Sequence, residues 1–451
     1  MRVWDRVGRS AFVACAVGMA WGIRGDYGHV IGAMYPGAVL GLAWVFVAGS
    51  STLRSRMSVI AALTAAGIGA GGQMSYGVLH GYAQADTLPN YAYGFAALFL
   101  QGGCWGTFGG GLAGLLAERR AVRTGDWVGL LASVVLGGWL APALLVDAIG
   151  FHINPPRNNI AVAFLGAALG QFAWLAWTRR AAGLRGALYG FVGFGLGMAG
   201  GRLLGNAAVH LEVWGYTINH WNVMEITCGF VGGGVFTYGM LGLGRVDPAG
   251  EPDEFRLPAV LGAVFVLGVI PAWHRLTRVP EKVAGWGATL RELGHADGLA
   301  GTVLRGTDAV CVAAGAGAVL WALALARGWR WPAALPVIGL SVAMLVFQNL
   351  TALYFWRPAR PGYLDTQTGF WILFAFVLAY PILARPRERA LVEPERPVRW
   401  GRLILGTAAT LGVIVALAGF TNGERTMRTA NTRWPVWSWN DGPFPGSRSK
   451  P

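Results

Sequence analysis

Long apolar runs alternate with short polar stretches along almost the whole chain of 451 residues. Since about 20 apolar residues in an α-helix cross the ~30 Å hydrocarbon layer of a membrane, each run predicts a transmembrane helix. We expect about thirteen, centred on residues 10–24, 30–49, 58–80, 92–117, 127–149, 158–178, 186–209, 222–243, 258–276, 306–327, 332–356, 367–385 and 402–420. The pattern therefore predicts an all-α polytopic membrane protein.

Arginines occur in every second loop between these runs, which gives the chain an orientation. Because basic loops remain on the cytoplasmic side, the alternation predicts an amino terminus inside and a carboxyl terminus outside. The expected location is a bacterial inner (cytoplasmic) membrane. The segment 11–20, preceded by Arg2, Arg6 and Arg9, is similar to a signal peptide. We predict an uncleaved first span instead, because Arg24 and the next apolar run follow at once.

Part of the chain is repeated. Gly37–Gly41 reappears as Gly166–Gly170, with Ala168 in the place of Val39. Ala70-Gly71-Gly72 reappears unchanged as Ala199-Gly200-Gly201 at the same offset. Chance matches in a glycine-rich chain are the alternative to duplication. Four helices in each unit would give two parallel repeats, 1–120 and 121–245, related by an axis along the membrane normal. A five-helix region, 246–420 with an outside interfacial loop at 274–305, and an outside tail, 421–451, would follow.

The composition changes this picture little. The chain is 54% hydrophobic and 13% charged, with a mean hydropathy of +0.47. Its net charge of +14 does not indicate nucleic-acid binding, because the arginines are distributed between apolar runs. The four cysteines lie apart from one another and form no metal or disulfide motif. No cofactor or metal is expected, and membrane lipid is the expected surrounding partner.

The densest polar cluster lies between the first two predicted helices. Arg24, Asp26 and His29 share a short connection with three glycines, where a backbone can approach a ligand closely. Arginine offers a planar donor fork for a carboxylate or phosphate, and histidine exchanges protons near neutral pH. The cluster therefore predicts a substrate-binding site, with a structural turn held by Arg24 and Asp26 as the alternative.

A second cluster lies inside the membrane. Arg202, Asn206 and His210 are spaced by four residues on one face of a helix, and Arg202 sits within an apolar run. An intramembrane charge is costly and by default indicates a functional site. We expect Glu225, on the next helix, to be its partner. A purely structural ion pair between these two helices is the alternative.

Glycines are concentrated in the third and seventh predicted helices. Small residues let helices in lipid approach closely, so tight packing is the simpler interpretation. Broken helices that line a substrate path are the alternative, since interrupted helices at matching positions of two repeats are typical of transporter sites.

Three functions are compatible with these features. The preferred hypothesis is a transporter or permease for a small polar or anionic solute, based on the duplication and the buried arginine. An integral membrane enzyme, a glycosyl- or acyl-transferase acting on a lipid-linked or envelope substrate at the outer face, is the alternative. It is favoured by the polar residues predicted on that side, including the aromatic and amide-rich segments 151–159 and 213–222. A structural subunit of a membrane complex is the third possibility.

Overall fold

The computed structural model is a bundle of α-helices. It describes residues 3–74, 76–118, 120–154, 159–213, 217–243, 256–294, 298–329, 331–357, 363–384 and 396–422. The first ten helices are α1 (Val3–Arg24), α2 (Ile31–Ala48), α3 (Ser51–Ser55), α4 (Met57–Gly71), α5 (Gly77–Tyr82), α6 (Leu88–Leu116), α7 (Thr124–Ala141), α8 (Ile160–Trp177), α9 (Ala181–Val213) and α10 (His220–Met240).

Six further helices follow. They are α11 (Arg256–Ala263), α12 (Ile270–Glu292), α13 (Gly298–Ala326), α14 (Ala334–Thr351), α15 (Thr366–Ala384) and α16 (Trp400–Thr421). A π-helical turn, Val264–Val269, joins α11 to α12, and another, Pro142–Asp147, continues α7. Two short strands, β1 (Thr217–Ile218) and β2 (Tyr363–Leu364), pair in parallel with Thr217 opposite Tyr363.

Each of the thirteen predicted runs coincides with helix in the structure, although several differ in extent. The third run, 58–80, is not one helix, because α4 ends at Gly71 and α5 begins only at Gly77. The ninth run continues well past residue 276, because α12 reaches Glu292. Most of the predicted outside loop 274–305 is therefore helical, and the predicted tail from residue 423 onward lies outside the described residues.

Nine helical stretches among the described residues are long and apolar enough to cross a membrane. They are Ile31–Ala48, Thr124–Asp147, Ile160–Trp177, Ala181–Leu211, Arg256–Val283, Gly298–Ala326, Ala334–Thr351, Thr366–Ala384 and Trp400–Thr421. α2 is almost wholly buried within the bundle, whereas α7 and α16 expose large apolar side chains along their length. Apolar surfaces of this size are unfavourable in water but are stable in contact with lipid. The chain is therefore a multi-span helical membrane protein.

A ladder of small residues holds α6 against α9. Gly102, Gly106, Gly110 and Gly114 recur every fourth residue on one face of α6. A Cβ atom added to any of the last three would meet a backbone carbonyl oxygen of α9, that of Gly190, Gly186 or Ala182 respectively. Close backbone approach supplies van der Waals contact that apolar side chains cannot add in lipid. These four glycines therefore serve the packing of α6 against α9.

Arginines converge at the end of the bundle where α1 begins. Arg6 donates to the Tyr238 carbonyl oxygen at the end of α10, and Arg56 donates to the Leu116 carbonyl oxygen at the end of α6, 3.1 Å away. Arg185 donates to the Gly239 carbonyl oxygen at 2.8 Å. The last carbonyls of a helix have no partner within it and carry partial negative charge, so cations are stabilised there. We call this the basic end of the bundle.

Candidate functional site

A buried ion pair lies at the opposite end of α1. The Arg24 Nη2 atom lies 3.1 Å from Glu225 Oε1 on α10 and donates to the Tyr76 hydroxyl at 2.7 Å. The Tyr76 hydroxyl in turn donates to Glu225 at 3.3 Å, so the three side chains close a triangle. Arg24 is only 1% exposed and Glu225 is 6% exposed. In such surroundings each charge requires the other, since an unpaired buried charge costs several kcal/mol.

The interruption between α4 and α5 places Tyr76 in this triangle. α4 ends at Gly71, and a Cβ atom at Gly72 would collide with the carbonyl oxygen of His29. The chain then turns, and the Gln101 side chain on α6 donates to the freed Met74 carbonyl at 2.8 Å. Non-helical backbone at membrane depth is tolerated where protein groups satisfy it. The third predicted helix is therefore broken, and its role in a substrate path stays a prediction.

The matching glycines of α9 do not break their helix. α9 runs without interruption from Ala181 to Val213, through Gly200 and Gly201. A Cβ atom at Gly201 would meet the backbone of Met224, so this glycine serves the contact between α9 and α10. Packing is therefore the correct interpretation for the seventh predicted helix. The two positions share a sequence pattern and differ in structure.

Aromatic rings enclose the Arg24 guanidinium. Its carbon lies 5.5 Å from the ring centre of Trp21, 5.6 Å from Tyr76 and 5.2 Å from Trp105. Trp21 also packs on Phe194 of α9, at 5.0 Å between ring centres. Desolvated cation–π contacts stabilise a cation by up to about 2 kcal/mol or more. The rings therefore fix the position of the Arg24 side chain and surround its charge with apolar groups.

Arg202 is a second, fully buried guanidinium, and its surroundings differ from the prediction. Its Nε atom donates to Asn206 Oδ1 at 2.6 Å, whereas neither Nη atom has a hydrogen-bond partner among the described residues. The predicted ion pair between Arg202 and Glu225 is wrong, because Glu225 pairs with Arg24. Arg24 approaches Glu225 from the end of α1, where Tyr76 completes the contact. Arg202 lies instead against Trp221, 5.8 Å from its ring centre.

His80 connects the two arginines. Its ring packs edge-on against Tyr76 at 5.0 Å and against Trp221 at 5.1 Å between ring centres, and it lies within electrostatic range of both guanidinium groups. Within the part of the chain that the structure describes, neither of its ring nitrogens has a hydrogen-bond partner. We call this group, formed by Arg24, Tyr76, His80, Arg202 and Glu225, the two-arginine cluster.

Buried polar atoms without partners are concentrated in and around the two-arginine cluster. Because buried N–H groups are nearly always paired in folded proteins, such a concentration indicates a place for water or a polar ligand. The atoms concerned are Nε1 of Trp21, Nε of Arg24, both ring nitrogens of His80, Oε1 of Gln101, Nε1 of Trp105 and both Nη atoms of Arg202. Most of them are donors, which suits an anionic ligand.

One residue of the first predicted cluster links the site to the surface. His29 is exposed, and its Nδ1 atom lies 3.4 Å from Arg24 Nη1. Asp26 lies on the other side of the connection, where Gln348 donates to it and Lys282 is 3.5 Å away. The neighbouring Tyr27 is buried against His274 and contacts Thr351, and burial raises the pKa of its hydroxyl well above the usual range.

The second predicted cluster is also divided. Asn206 stays with Arg202 and donates to the Ala83 carbonyl at 3.2 Å and to Asn422 Oδ1 at 2.7 Å. His210 lies further along α9, is exposed, and contacts the Thr421 carbonyl at 3.1 Å. Of the seven predicted site residues, the structure thus groups Arg24, His29, Arg202, Asn206 and Glu225. It places Asp26 and His210 in separate contacts.

The sequence prediction missed several members of the site. Tyr76 follows the interrupted helix, and Gln101 and Trp105 lie in the apolar run of α6. A glutamine within an apolar run was the available signal, since polar side chains in membrane helices usually face the bundle interior. His80 is one of seven histidines in the chain. No pattern in the sequence indicated that it lies between two arginines.

The described residues hold no group of three or more His, Cys, Asp or Glu side chains placed to bind a metal ion. The chemistry of the two-arginine cluster is instead that of hydrogen-bond donors and fixed positive charge. Comparisons with models of known protein families, with curated proteins and with solved structures find no match for this chain.

Proposed function

We propose that this protein is a multi-pass transporter, or permease, for a small anionic solute that binds at the two-arginine cluster. The observation that carries the proposal is Arg202, a fully buried guanidinium whose two Nη groups have no partner in the described parts of the protein. A planar pair of N–H groups matches the two oxygens of a carboxylate or the edge of an oxyanion.

The charge balance of the cluster favours an anion. Arg24 and Arg202 contribute two positive charges, and Glu225 contributes one negative charge, which leaves an excess of one positive charge among buried groups. An unpaired charge at membrane depth is costly, and a bound anion would offset it. Trp21, Trp105 and Trp221 would exclude water from the bound solute and so strengthen the interaction.

The interrupted helix supports transport over simple binding. Discontinuous helices in transporters place backbone groups and short helix ends beside the substrate, and the gap between α4 and α5 lies beside Tyr76 and His80. In this proposal thirteen helices cross the membrane, and residues 1–120 and 121–245 form two parallel repeats. Alternating access would move one unit against the other around Arg202, with His80 or Glu225 as a proton carrier.

Uptake into liposomes tests the proposal. Purified protein would be reconstituted and offered labelled acetate, lactate, succinate, phosphate and sulfate. We expect accumulation of at least one of them, and loss of that uptake in Arg202→Met. Arg202→Lys should also fail, because an ammonium group does not reproduce the planar donor pair.

The matched control is Arg305→Gln, which removes an exposed arginine on α13 outside the cluster. It should leave uptake unchanged. Equal uptake by the parent protein and Arg202→Met, with both correctly folded, would contradict the proposed site.

A membrane enzyme that acts on an anionic or lipid-linked substrate is the second candidate. It is favoured by the exposure of His29 beside Arg24, which opens the cluster toward one end of the bundle. Histidine and glutamate near fixed guanidinium donors could provide acid–base catalysis next to a stabilised anion. Binding of an anion by the reconstituted protein without any transmembrane flux would favour this candidate.

A further inference from the structure

A large cavity opens at the basic end of the bundle, away from the two-arginine cluster. Its volume is about 1280 Å³. That exceeds the roughly 300–1,000 Å³ typical of small-molecule pockets. Arg6 and Arg24 lie 18 residues apart on α1, so the two sites are separated by ~27 Å, close to the thickness of the hydrocarbon layer.

One face of α1 and one face of α10 line the cavity, with the same spacing of lining residues in each helix. α1 contributes Arg6, Val7, Ser10, Ala11 and Ala14, and α10 contributes Phe230, Val231, Gly234, Val235 and Tyr238. In each helix these positions are spaced by one, four, five and eight residues, which places them on one face. The helices run in opposite senses, since Arg6 contacts Tyr238 whereas Phe230 lies further along, near Gly18.

The lining changes from basic to apolar along these helices. Arg6 and Arg185 lie at the end where α10 terminates. The segment before α16 adds Arg396 and Arg399, and the first turn of α16 adds Arg402. The stretch from Arg6 to Ala14 is ~12 Å long and ends among Ala14, Phe230 and Val231. Among the described residues that line the cavity there are five arginines and no carboxylate.

We propose that this cavity binds an anionic phospholipid. The phosphate would lie among Arg399, Arg402 and Arg6, and an acyl chain would follow the apolar faces of α1 and α10 toward Phe230. Only an amphipathic anion matches both ends of the cavity, because a free phosphate would leave its apolar part unfilled. Arg399 and Arg402 are exposed, and Arg399 immediately precedes α16, whose first N–H groups also favour an anion.

Native mass spectrometry can test the proposal directly. The full-length protein would be equilibrated in mixed micelles with equal phosphatidylglycerol and phosphatidylcholine, and the retained lipids would be counted. We expect preferential retention of phosphatidylglycerol. The double variant Arg399→Gln with Arg402→Gln should bind it about thirtyfold more weakly, since each basic group near an anionic lipid contributes about 1 kcal/mol, or roughly fivefold.

A second variant examines the apolar end. A Cβ atom at Gly234 would make only ordinary contact with Ala14, so Gly234→Leu places its side chain in the cavity with little strain. It should reduce phosphatidylglycerol retention although all five arginines remain. The control is Arg291→Gln with Arg305→Gln, the same charge change at two exposed arginines elsewhere, and it should retain lipid as the parent does.

Several results would overturn the proposal. One is equal retention by the parent protein and the Arg399/Arg402 variant, and another is an equal loss in the Arg291/Arg305 control. Thermal stabilisation by inorganic phosphate that needs Arg399 and Arg402, together with unchanged lipid retention in Gly234→Leu, would identify a phosphate site instead. Gel filtration and the thermal unfolding midpoint of each variant establish that it is folded.

Discussion

Replacing Arg202 by methionine tests whether this arginine binds a ligand or stabilises the fold. Arg202 is fully buried, and the one side-chain hydrogen bond that it makes to described residues joins Nε to Asn206 Oδ1 at 2.6 Å. An arginine at the centre of a membrane helix costs about 2.5–3.5 kcal/mol, and a hydrogen bond to a charged group contributes about 1.5–3 kcal/mol. Arg202→Met removes the cost of the buried charge and also the hydrogen bond that partly offsets it. The free energy of unfolding should therefore change by between about −0.5 and +2 kcal/mol, where positive values mean stabilisation.

Arg24 provides the contrasting case. Among the described residues, Arg24→Met would leave the buried Glu225 with the Tyr76 hydroxyl as its remaining hydrogen-bond partner. Removing one partner of a buried ion pair typically destabilises a protein by about 3–5 kcal/mol. The double change Arg24→Met with Glu225→Leu should recover much of that loss, because no charge remains unpaired.

Thermal unfolding of the purified variants in one detergent is the assay, with anion binding measured on the same samples. Because unfolding of such proteins is often irreversible, the midpoints serve as a ranking at a fixed scan rate. We expect Arg202→Met to unfold close to or above the temperature of the parent protein and to lose anion binding. Arg24→Met should unfold well below it. An equal loss of stability in both variants would refute the reasoning, since it would show that Arg202 is paired in the folded protein.

Three further predictions concern packing, the broken helix and orientation. Gly110→Ala should lower the thermal midpoint, because its Cβ would meet a carbonyl of α9, whereas Gly315→Ala, with open space around it, should leave the midpoint unchanged or slightly raised; equal effects would contradict the ladder. Gly72→Ala should displace the connection that carries His29 and weaken anion binding; unaltered affinity would show that the interruption is not part of the site. In a cysteine-free background, Thr87→Cys should react with an impermeant thiol reagent from outside and Ala121→Cys only after permeabilisation; the reverse result would invert the proposed orientation.

The helices could be predicted from the sequence because their cause is local. A run of apolar residues long enough to cross a bilayer satisfies its own backbone as a helix, whatever lies around it. The arginines of the basic end were similarly evident from their alternation between runs. The structure adds that Arg6, Arg56 and Arg185 contact the final turns of other helices, which their positions in the sequence did not indicate.

Which residues form the site could not be predicted from the sequence, because the site is built from contacts between distant parts of the chain. Arg24 and Glu225 are 201 residues apart, and both Arg24 and Arg202 were available to pair with that carboxylate. Hydropathy and spacing do not distinguish between them. The choice follows from where α1 ends relative to α10 and from Tyr76, which hydrogen-bonds to both members of the pair.

The glycine pairs show the same limit most clearly. Ala70-Gly71-Gly72 and Ala199-Gly200-Gly201 are identical in sequence, yet the first ends a helix and the second continues one. At Gly72 the backbone lies against the His29 carbonyl, and Gln101 satisfies the freed carbonyl of Met74. At Gly201 the neighbouring α10 packs on an intact helix. The sequence by itself determined that the backbone can be approached closely at both places. Only the neighbours in the tertiary structure decided which helix could be broken. A broken turn needs hydrogen-bond partners for its exposed backbone groups, and those partners come from other parts of the chain.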